Sequence, residues 1–195
     1  SSTSSRPEPS VTLLPSVPLR LCSCAKRMAA IRRVARSGPL QAPDAEEGSI
    51  DVSILSWNVL APCWAGDSAH YMHISPEVLA WPARLDVIME EIIEAQPDIV
   101  ALQEVMFTVF DEDLQPLMES LGYVGIMQRD PKKAADHPVG NATFVLGRRW
   151  SVTWEEHRSR VLVVGLRLEG SGEEVVVANA HLEGAPSKFM ARVQQ

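Results

Sequence analysis

Three polar side chains occupy the same kind of position, each directly after an apolar run. Asn58 follows Ile-Leu-Ser-Trp, Glu104 follows Ile-Val-Ala-Leu-Gln, and His181 follows Val-Val-Val-Ala-Asn-Ala. In α/β proteins functional side chains converge at strand ends, because they leave the packed layers there. A carboxylate beside an apolar run is costly unless its charge is compensated, and a hard divalent cation compensates it. Each residue alone is better explained as a turn cap (Asn58), a rim ion pair (Glu104) or a buried histidine (His181). Their shared placement nevertheless predicts a metal-assisted site.

The part of the chain that must position Asn58 and Glu104 is predicted to alternate between strands and helices. Val52–Trp57 and Asp98–Leu102 are predicted to be buried strands, each ending just before its candidate residue. Between these strands, Ser75 and Pro76 open one helix, and Pro82 begins another or kinks the first. The second helix has an apolar face at helical spacing, opposite its acidic residues. That face consists of Leu85, Ile88, Met89, Ile92 and Ile93. A third helix is predicted to be capped by Asp111 or Asp113 and to run to Leu121, followed by Gly122.

The second half of the chain is predicted to contain strands almost exclusively. Ser171-Gly172 is predicted to form the hairpin turn between the last two of them. The five strands are Tyr123–Gln128, Ala142–Leu146, Ser151–Glu155, Arg160–Leu168 and Glu174–Leu182. Two strand–helix units followed by a run of strands predict a mixed α/β fold with a large antiparallel part. Residues 187–195 are typical of the first turns of a helix, and Asp136-His137 is expected to lie in a solvated loop.

Charge and composition divide the 195 residues into two segments. Residues 1–48 are rich in Ser, Pro and Arg, which predicts a disordered leader or an organelle-targeting segment, and Met28 is a candidate start. Residues 49–195 form the predicted domain. From residue 44 onward there are 11 Lys or Arg against 24 Asp or Glu, a balance of −13. Such an acidic body is not a general polyanion binder, so a nucleic-acid substrate must be held by a local site with metal ions.

Three cysteines are too few for a disulfide framework, and no apolar run reaches the length of a membrane helix. These features predict an intracellular protein with reduced thiols and no membrane partner. A cytoplasmic location fits best, with a mitochondrial or plastid location as the alternative if the leader is a targeting segment.

Four motifs in this order resemble the endonuclease/exonuclease/phosphatase superfamily, over residues 51–195. They are Ser56-Trp57-Asn58-Val59-Leu60, Leu102-Gln103-Glu104-Val105, Gly140-Asn141-Ala142-Thr143-Phe144 and Asn179-Ala180-His181-Leu182. The resemblance implies the first half of a four-layer α/β sandwich, with two β-sheets flanked by helices. It also implies that Glu104 and Asn58 help hold a metal and that His181 contacts the scissile phosphate. The family's Asp-x-Asn and late Asp-His pairs do not follow His181, so we expect a truncated domain that is inactive by itself.

A narrower resemblance is to the deadenylase branch that includes nocturnin and angel. It rests on the set Tyr71, Pro76, Leu79, Trp81, Arg84, Pro97-Asp98-Ile99, Phe110, Pro116-Leu117 and Gly122-Tyr123-Val124-Gly125. Asn141 departs from this branch, which usually has Cys there. Core packing is the favoured explanation for Trp81 and Leu79. Arg84 could pair with helix acids at least as readily as it could contact a phosphate.

The branch resemblance implies a Mg²⁺-dependent phosphodiesterase, with Mn²⁺ as a substitute. The substrate that it favours is the 3′ end of single-stranded RNA, above all poly(A), degraded from 3′ to 5′. Two alternatives remain open. The complete enzyme could act on a small or lipid phosphoester, such as a dinucleotide phosphate, a phosphoinositide or sphingomyelin. The chain could also be a catalytically inactive interaction module.

Overall fold

Two β-sheets carry the candidate residues in the computed structural model of the chain, which describes residues 50–66, 71–129 and 138–182. Sheet A has the order β1-β2-β4-β3, in which β1 and β2 are parallel and the other pairs antiparallel. Its strands are β1 Ile54–Asn58, β2 Ile99–Met106, β3 Tyr123–Met127 and β4 Val139–Leu146. Sheet B is antiparallel, with the order β5-β6-β7. Its strands are β5 Trp150–His157, β6 Val161–Leu168 and β7 Glu174–Ala180.

The helices begin where proline fixes the first turn. Pro76 is the first residue of α2 (Pro76–Leu79), and Pro82 lies in the first turn of α3 (Trp81–Ala95), as predicted. Helix α3 ends at Ala95, and Gln96 caps it with a left-handed φ of 44°. The remaining helical segments are α1 Pro62–Ala65, α4 Phe107–Val109, a π-helical turn Phe110–Leu114 and α5 Gln115–Ser120.

Alternation along the strands gives sheet A two apolar faces. One face packs against the helices, where Leu85, Ile88 and Ile92 of α3 lie in the core with Phe144 of β4. The helical stripe predicted from the sequence is therefore confirmed, except that Ile93 is 44% exposed. The other face packs against sheet B, because a second core contains residues of both sheets. The mixed α/β class with two sheets and flanking helices is confirmed.

Three predicted elements differ from the structure. Strand β1 is not buried, because it lies at the edge of sheet A and Ile54 is 55% exposed. Strand β2 does not end at Leu102 but continues to Met106, since β4 pairs with it on both sides of Glu104. The third helical segment begins at Phe107, so Asp111 and Asp113 lie inside it and do not cap it.

Several predictions concern parts of the chain outside the described residues. These are the leader at residues 1–48, the Asp136-His137 loop and the helix at residues 187–195. In the part that is described, no helix is both long and apolar enough to cross a membrane.

Candidate active site

Asn58 and Glu104 meet at the edge of sheet A. The parallel pairing of β1 and β2 aligns Asn58 with Gln103, the residue before Glu104. Asn58 Nδ2 donates a hydrogen bond to Glu104 Oε1 at 2.6 Å, and the backbone N–H of Ala61 donates a longer one to Oε2 at 3.4 Å. The predicted convergence of these two side chains is observed.

A β-bulge gives Glu104 its position. The register of β2 against β4 shifts between Leu102 and Val105, and Glu104 adopts a φ of 59°. A left-handed conformation at a non-glycine residue costs on the order of 1–3 kcal/mol, and bulges re-aim side chains beside functional sites. The chain thus uses a strained residue within β2, and not a strand end, to turn this carboxylate toward Asn58.

The loop after Asn58 is held by local and distant hydrogen bonds. Asn58 Oδ1 accepts the backbone N–H of Leu60 at 2.9 Å, and Leu60 itself has a φ of 56°. Arg84 donates to the carbonyls of Val59 and Leu60 at 2.5 and 2.6 Å, and to Leu79 O at 2.8 Å. Burial lowers the pKa of Arg84 from its ordinary value. The expected ion pair between Arg84 and helix acids is therefore replaced by bonds to three carbonyls, which fix the Asn58 loop.

His181 reaches the same place from sheet B. It directly follows β7, and its Nε2 lies 3.6 Å from Glu104 Oε1. The His181 side chain is 36% exposed whereas that of Glu104 is 12% exposed, so the imidazole forms the outer part of the site. All three residues predicted from the sequence are thus brought together, from two strands of sheet A and one of sheet B.

The surroundings of Glu104 suit a hard divalent cation. Among the described residues, no Lys or Arg lies within ion-pair distance of this mostly buried carboxylate. Across the same residues, no three His, Cys, Asp or Glu side chains form a group that could hold a metal by themselves. Mg²⁺ is commonly bound through one or two carboxylates, with water and substrate phosphate completing its shell. Glu104 fits that role, with Asn58 beside it.

Cys63, an exposed residue near this carboxylate, is a poor candidate nucleophile. Burial, and to a smaller extent the negative charge of Glu104, raise the pKa of Cys63 above its ordinary value. Because thiolates are the reactive form, a raised pKa leaves less of Cys63 in that form at neutral pH.

A buried amide network under the site was missed in the sequence. Asn179 and Gln103 are 2% and 8% exposed, and Gln103 Nε2 donates to Asn179 Oδ1 at 2.8 Å. Asn141, where the chain departs from the deadenylase pattern, is also buried and bonds to Asn179 O. The available signal was an amide side chain inside an apolar run, which is costly to bury without partners.

A second polar cluster lies at the opposite ends of β1 and β2. Asp98 accepts hydrogen bonds from the backbone and the hydroxyl of Ser53, both at 2.8 Å. Arg149 pairs with the same carboxylate at 2.8 Å. Burial by itself would raise the pKa of Asp98, but the bonds from Ser53 and the charge of Arg149 outweigh it and lower that pKa. This cluster ties the strand starts together, far along the strands from Glu104.

The fold and this site define a family of phosphoester hydrolases. Residues 55–177 match the endonuclease/exonuclease/phosphatase family model, which covers more than half of the chain. The chain therefore belongs to the endonuclease/exonuclease/phosphatase family, whose members are phosphoester hydrolases that generally use divalent metals.

Within this family, the similar proteins include nocturnin and angel proteins, which confirms the branch resemblance. Nocturnin of Drosophila melanogaster is 27% identical over 160 residues, or 74% of this chain. The crystal structure of ANGEL2, a 2′,3′-cyclic phosphatase, is similar with a TM-score of 0.61 at 26% identity, covering 69% of this chain and 42% of that one. The human nocturnin catalytic domain with bound sulfate has a TM-score of 0.54 at 25% identity, covering 70% and 52%. The chain spans about a quarter (24%) of the Drosophila nocturnin sequence.

Proposed function

We propose that Glu104, Asn58 and His181 form part of the active site of a Mg²⁺-dependent phosphodiesterase that degrades single-stranded RNA from its 3′ end. The observation that carries the proposal is the meeting of the three side chains. Glu104 Oε1 lies 2.6 Å from Asn58 Nδ2 and 3.6 Å from His181 Nε2. A carboxylate, an amide and an imidazole on two packed sheets can act together on one phosphate group.

Each side chain has a distinct task in this proposal. Glu104 would hold the metal, and Asn58 would support it directly, through water, or by orienting the carboxylate through the Nδ2 bond. Mn²⁺ can replace Mg²⁺ because both are hard cations that accept oxygen ligands. When bound, the metal stabilises charge that grows on the phosphoryl and leaving oxygens. His181 donates a hydrogen bond to a phosphoryl oxygen. This bond becomes stronger as the oxygen gains negative charge in the transition state.

A protonated imidazole is not required for this task. A neutral His181 still carries one N–H, which is sufficient to donate a single hydrogen bond to the phosphate. The site needs His181 at the rim, where substrate enters, and its 36% exposure is consistent with that placement. Glu104, at 12% exposure, lies deeper, where fewer waters compete for the metal.

The choice of RNA is supported by the branch of the family alone, and the distribution of charge limits how RNA could bind. The acidic balance of residues 44–195 disfavours binding over a broad surface, so the 3′ end must be recognised at the metal. The test is release of AMP from an oligoadenylate with a free 3′ hydroxyl by the protein at its full native length. We expect Mg²⁺-dependent release that Glu104→Gln abolishes and that the exposed helix variant Glu90→Gln retains. Release that persists in Glu104→Gln would contradict the assigned site.

A second candidate substrate is favoured by one observation, the similarity to ANGEL2, a 2′,3′-cyclic phosphatase. A structure of that protein contains adenosine-2′,3′-vanadate. The same site would then hydrolyse a terminal cyclic phosphate without shortening the RNA. An oligoadenylate ending in a 2′,3′-cyclic phosphate separates the two candidates. Loss of the cyclic end with the chain length unchanged supports the phosphatase, and shortening of the 3′-hydroxyl substrate supports the exonuclease.

A further inference from the structure

A ladder of buried side-chain amides joins the two sheets beneath the site. Asn179 of β7 donates from Nδ2 to Leu102 O at 3.1 Å and to Ala142 O at 3.0 Å, both on sheet A. Gln103 of β2 donates in return to Asn179 Oδ1 at 2.8 Å. Both side chains are buried, so water does not compete for these bonds. The ladder therefore fixes β7 against β2.

The ends of this ladder are neighbours of the candidate catalytic residues. Gln103 directly precedes Glu104, and Asn179 lies two residues before His181. The bulge that turns Glu104 toward Asn58 falls between Leu102 and Val105, where the strand ladder is interrupted. Asn179 bonds the carbonyl of Leu102 at the edge of that interruption. The placement of the carboxylate and of the imidazole thus depends on the same side chain.

Asn141 secures the other side of β7. Its Nδ2 donates to Asn179 O and to Arg160 O, each at 3.0 Å. The carbonyl of Arg160 also accepts the backbone N–H of His181 at 3.0 Å. The backbone of Asn179 in β7 is therefore held by Asn141, and that of His181, just after β7, by the Arg160 carbonyl that Asn141 also binds.

We propose that Asn179 is a positioning residue of the active site, which holds the His181 ring at the Glu104 carboxylate through its bonds to Gln103 and Leu102. The inference rests on the proposed function, which makes Glu104 and His181 the working pair. Only an amide fits this place, because Asn179 donates to two carbonyls and accepts from Gln103. A carboxylate of the same shape would face two carbonyl oxygens without a hydrogen to give them.

The test compares Asn179→Asp with a matched buried substitution remote from the site, Asp98→Asn. Nuclear magnetic resonance of the 195-residue chain measures the Overhauser contact between the His181 ring and the Glu104 side chain. We expect the contact in the native chain and in Asp98→Asn, and its loss or weakening in Asn179→Asp. In the full-length enzyme, kcat of Asn179→Asp should fall by about 10²-fold with KM unchanged, as expected for a misplaced group.

The outcomes separate this inference from the function on which it rests. If the full-length enzyme is inactive on both RNA substrates, the proposed function is wrong. The Overhauser contact would still show whether Asn179 positions the His181 ring. An unchanged contact in Asn179→Asp, or equal loss in Asp98→Asn, overturns the inference. If Asn179→Asp does not fold, Gln103→Met removes the Nε2 donor and keeps the bulk. An unchanged contact in that variant also overturns the inference.

Discussion

At the scale of single residues, the site depends on groups that hold other groups. Glu104 is aimed by its own left-handed backbone and by the Asn58 amide. Asn58 is in turn fixed by the Leu60 N–H, so its nitrogen faces the carboxylate and its oxygen faces the loop. Leu60 keeps its left-handed conformation because Arg84 binds its carbonyl. A chain of local contacts therefore runs from α3 to the carboxylate.

Arg84 is the outermost support in this chain, and its replacement should be costly. In Arg84→Lys the lysine keeps the positive charge. It cannot bond Val59 O, Leu60 O and Leu79 O at once, because it lacks the planar, forked set of donors of the guanidinium group. Hydrogen bonds of charged groups contribute about 1.5–3 kcal/mol, so we expect Arg84→Lys to lower the free energy of unfolding by about 2 kcal/mol. Urea denaturation followed by circular dichroism measures this loss.

The control for Arg84 is an arginine in a surface ion pair. Arg167 pairs with Glu174 at 2.8 Å between exposed side chains. Exposed pairs contribute about 0–1 kcal/mol, so Arg167→Lys should change the free energy of unfolding very little. Equal losses in the two variants would show that Arg84 is an ordinary surface arginine.

At the scale of elements, β1 and β2 are secured at both ends. The Asn58 and Glu104 pair joins their C-terminal ends, and the Ser53, Asp98 and Arg149 cluster joins their N-terminal ends. Pairing over five residues in parallel register connects the two clusters. Removing either cluster should therefore lower the stability of the paired strands β1 and β2.

The Asp98 cluster predicts a specific dependence of stability on pH. Its folded pKa is lowered, so the unfolded chain binds a proton more readily than the folded one. The stabilisation is complete above the unfolded pKa of about 3.9 and disappears as pH falls through the folded value. We expect the free energy of unfolding to drop with acid below about pH 4 in the native chain. In Asp98→Asn it should be lower at pH 7 and should lose the part of this acid dependence that comes from Asp98. Denaturant titrations between pH 2 and 7 measure both, and parallel curves for the two proteins would contradict the assignment.

The sequence predicted the elements that are set by local hydrophobic periodicity and by proline. Helix α3, the start of α2 at Pro76 and the strand-rich second half are present with small shifts of their ends. The exposure of β1 was not predictable, because it depends on which strand forms the sheet edge. The π-helical turn at Phe110–Leu114 also has no local signal; its Phe110 and Leu114 side chains are buried in the core beside sheet A.

The site was predictable for a different reason and to a different extent. Asn58, Glu104 and His181 stood out because each follows an apolar run. The bulge at Glu104 and the ladder of Gln103, Asn179 and Asn141 did not, because both depend on contacts between residues about 40 to 80 positions apart. Such pairings follow from how the two sheets face each other, which no local pattern specifies.

At the scale of the whole molecule, the two sheets should behave as one cooperative unit. They share a core that contains Ile99 and Val145 of sheet A with Leu162 and Leu166 of sheet B. The amide ladder adds directional bonds across the same interface. Stability within a cooperative unit is uniform, so its innermost amides exchange only when the unit opens as a whole.

Native-state hydrogen exchange tests this coupling. The central amides of β2, β4 and β6 should exchange with the same free energy, equal to that of global unfolding. The exposed edge residues of β1 and the loop at Gly170 to Gly172 should exchange sooner and provide the internal control. A free energy for β6 lower than that for β2 by more than about 1 kcal/mol would show that the sheets open separately.

In the proposed site, Glu104 holds a divalent metal beside Asn58 and His181. Paramagnetic Mn²⁺ locates this site directly, because it broadens the resonances of nearby nuclei whether binding is strong or weak. We predict selective broadening of Asn58, Glu104 and His181 in the native chain and in Glu90→Gln, and no such broadening in Glu104→Gln. Broadening centred on the acidic run Asp111–Asp113, or broadening at His181 that persists in Glu104→Gln, would contradict the account.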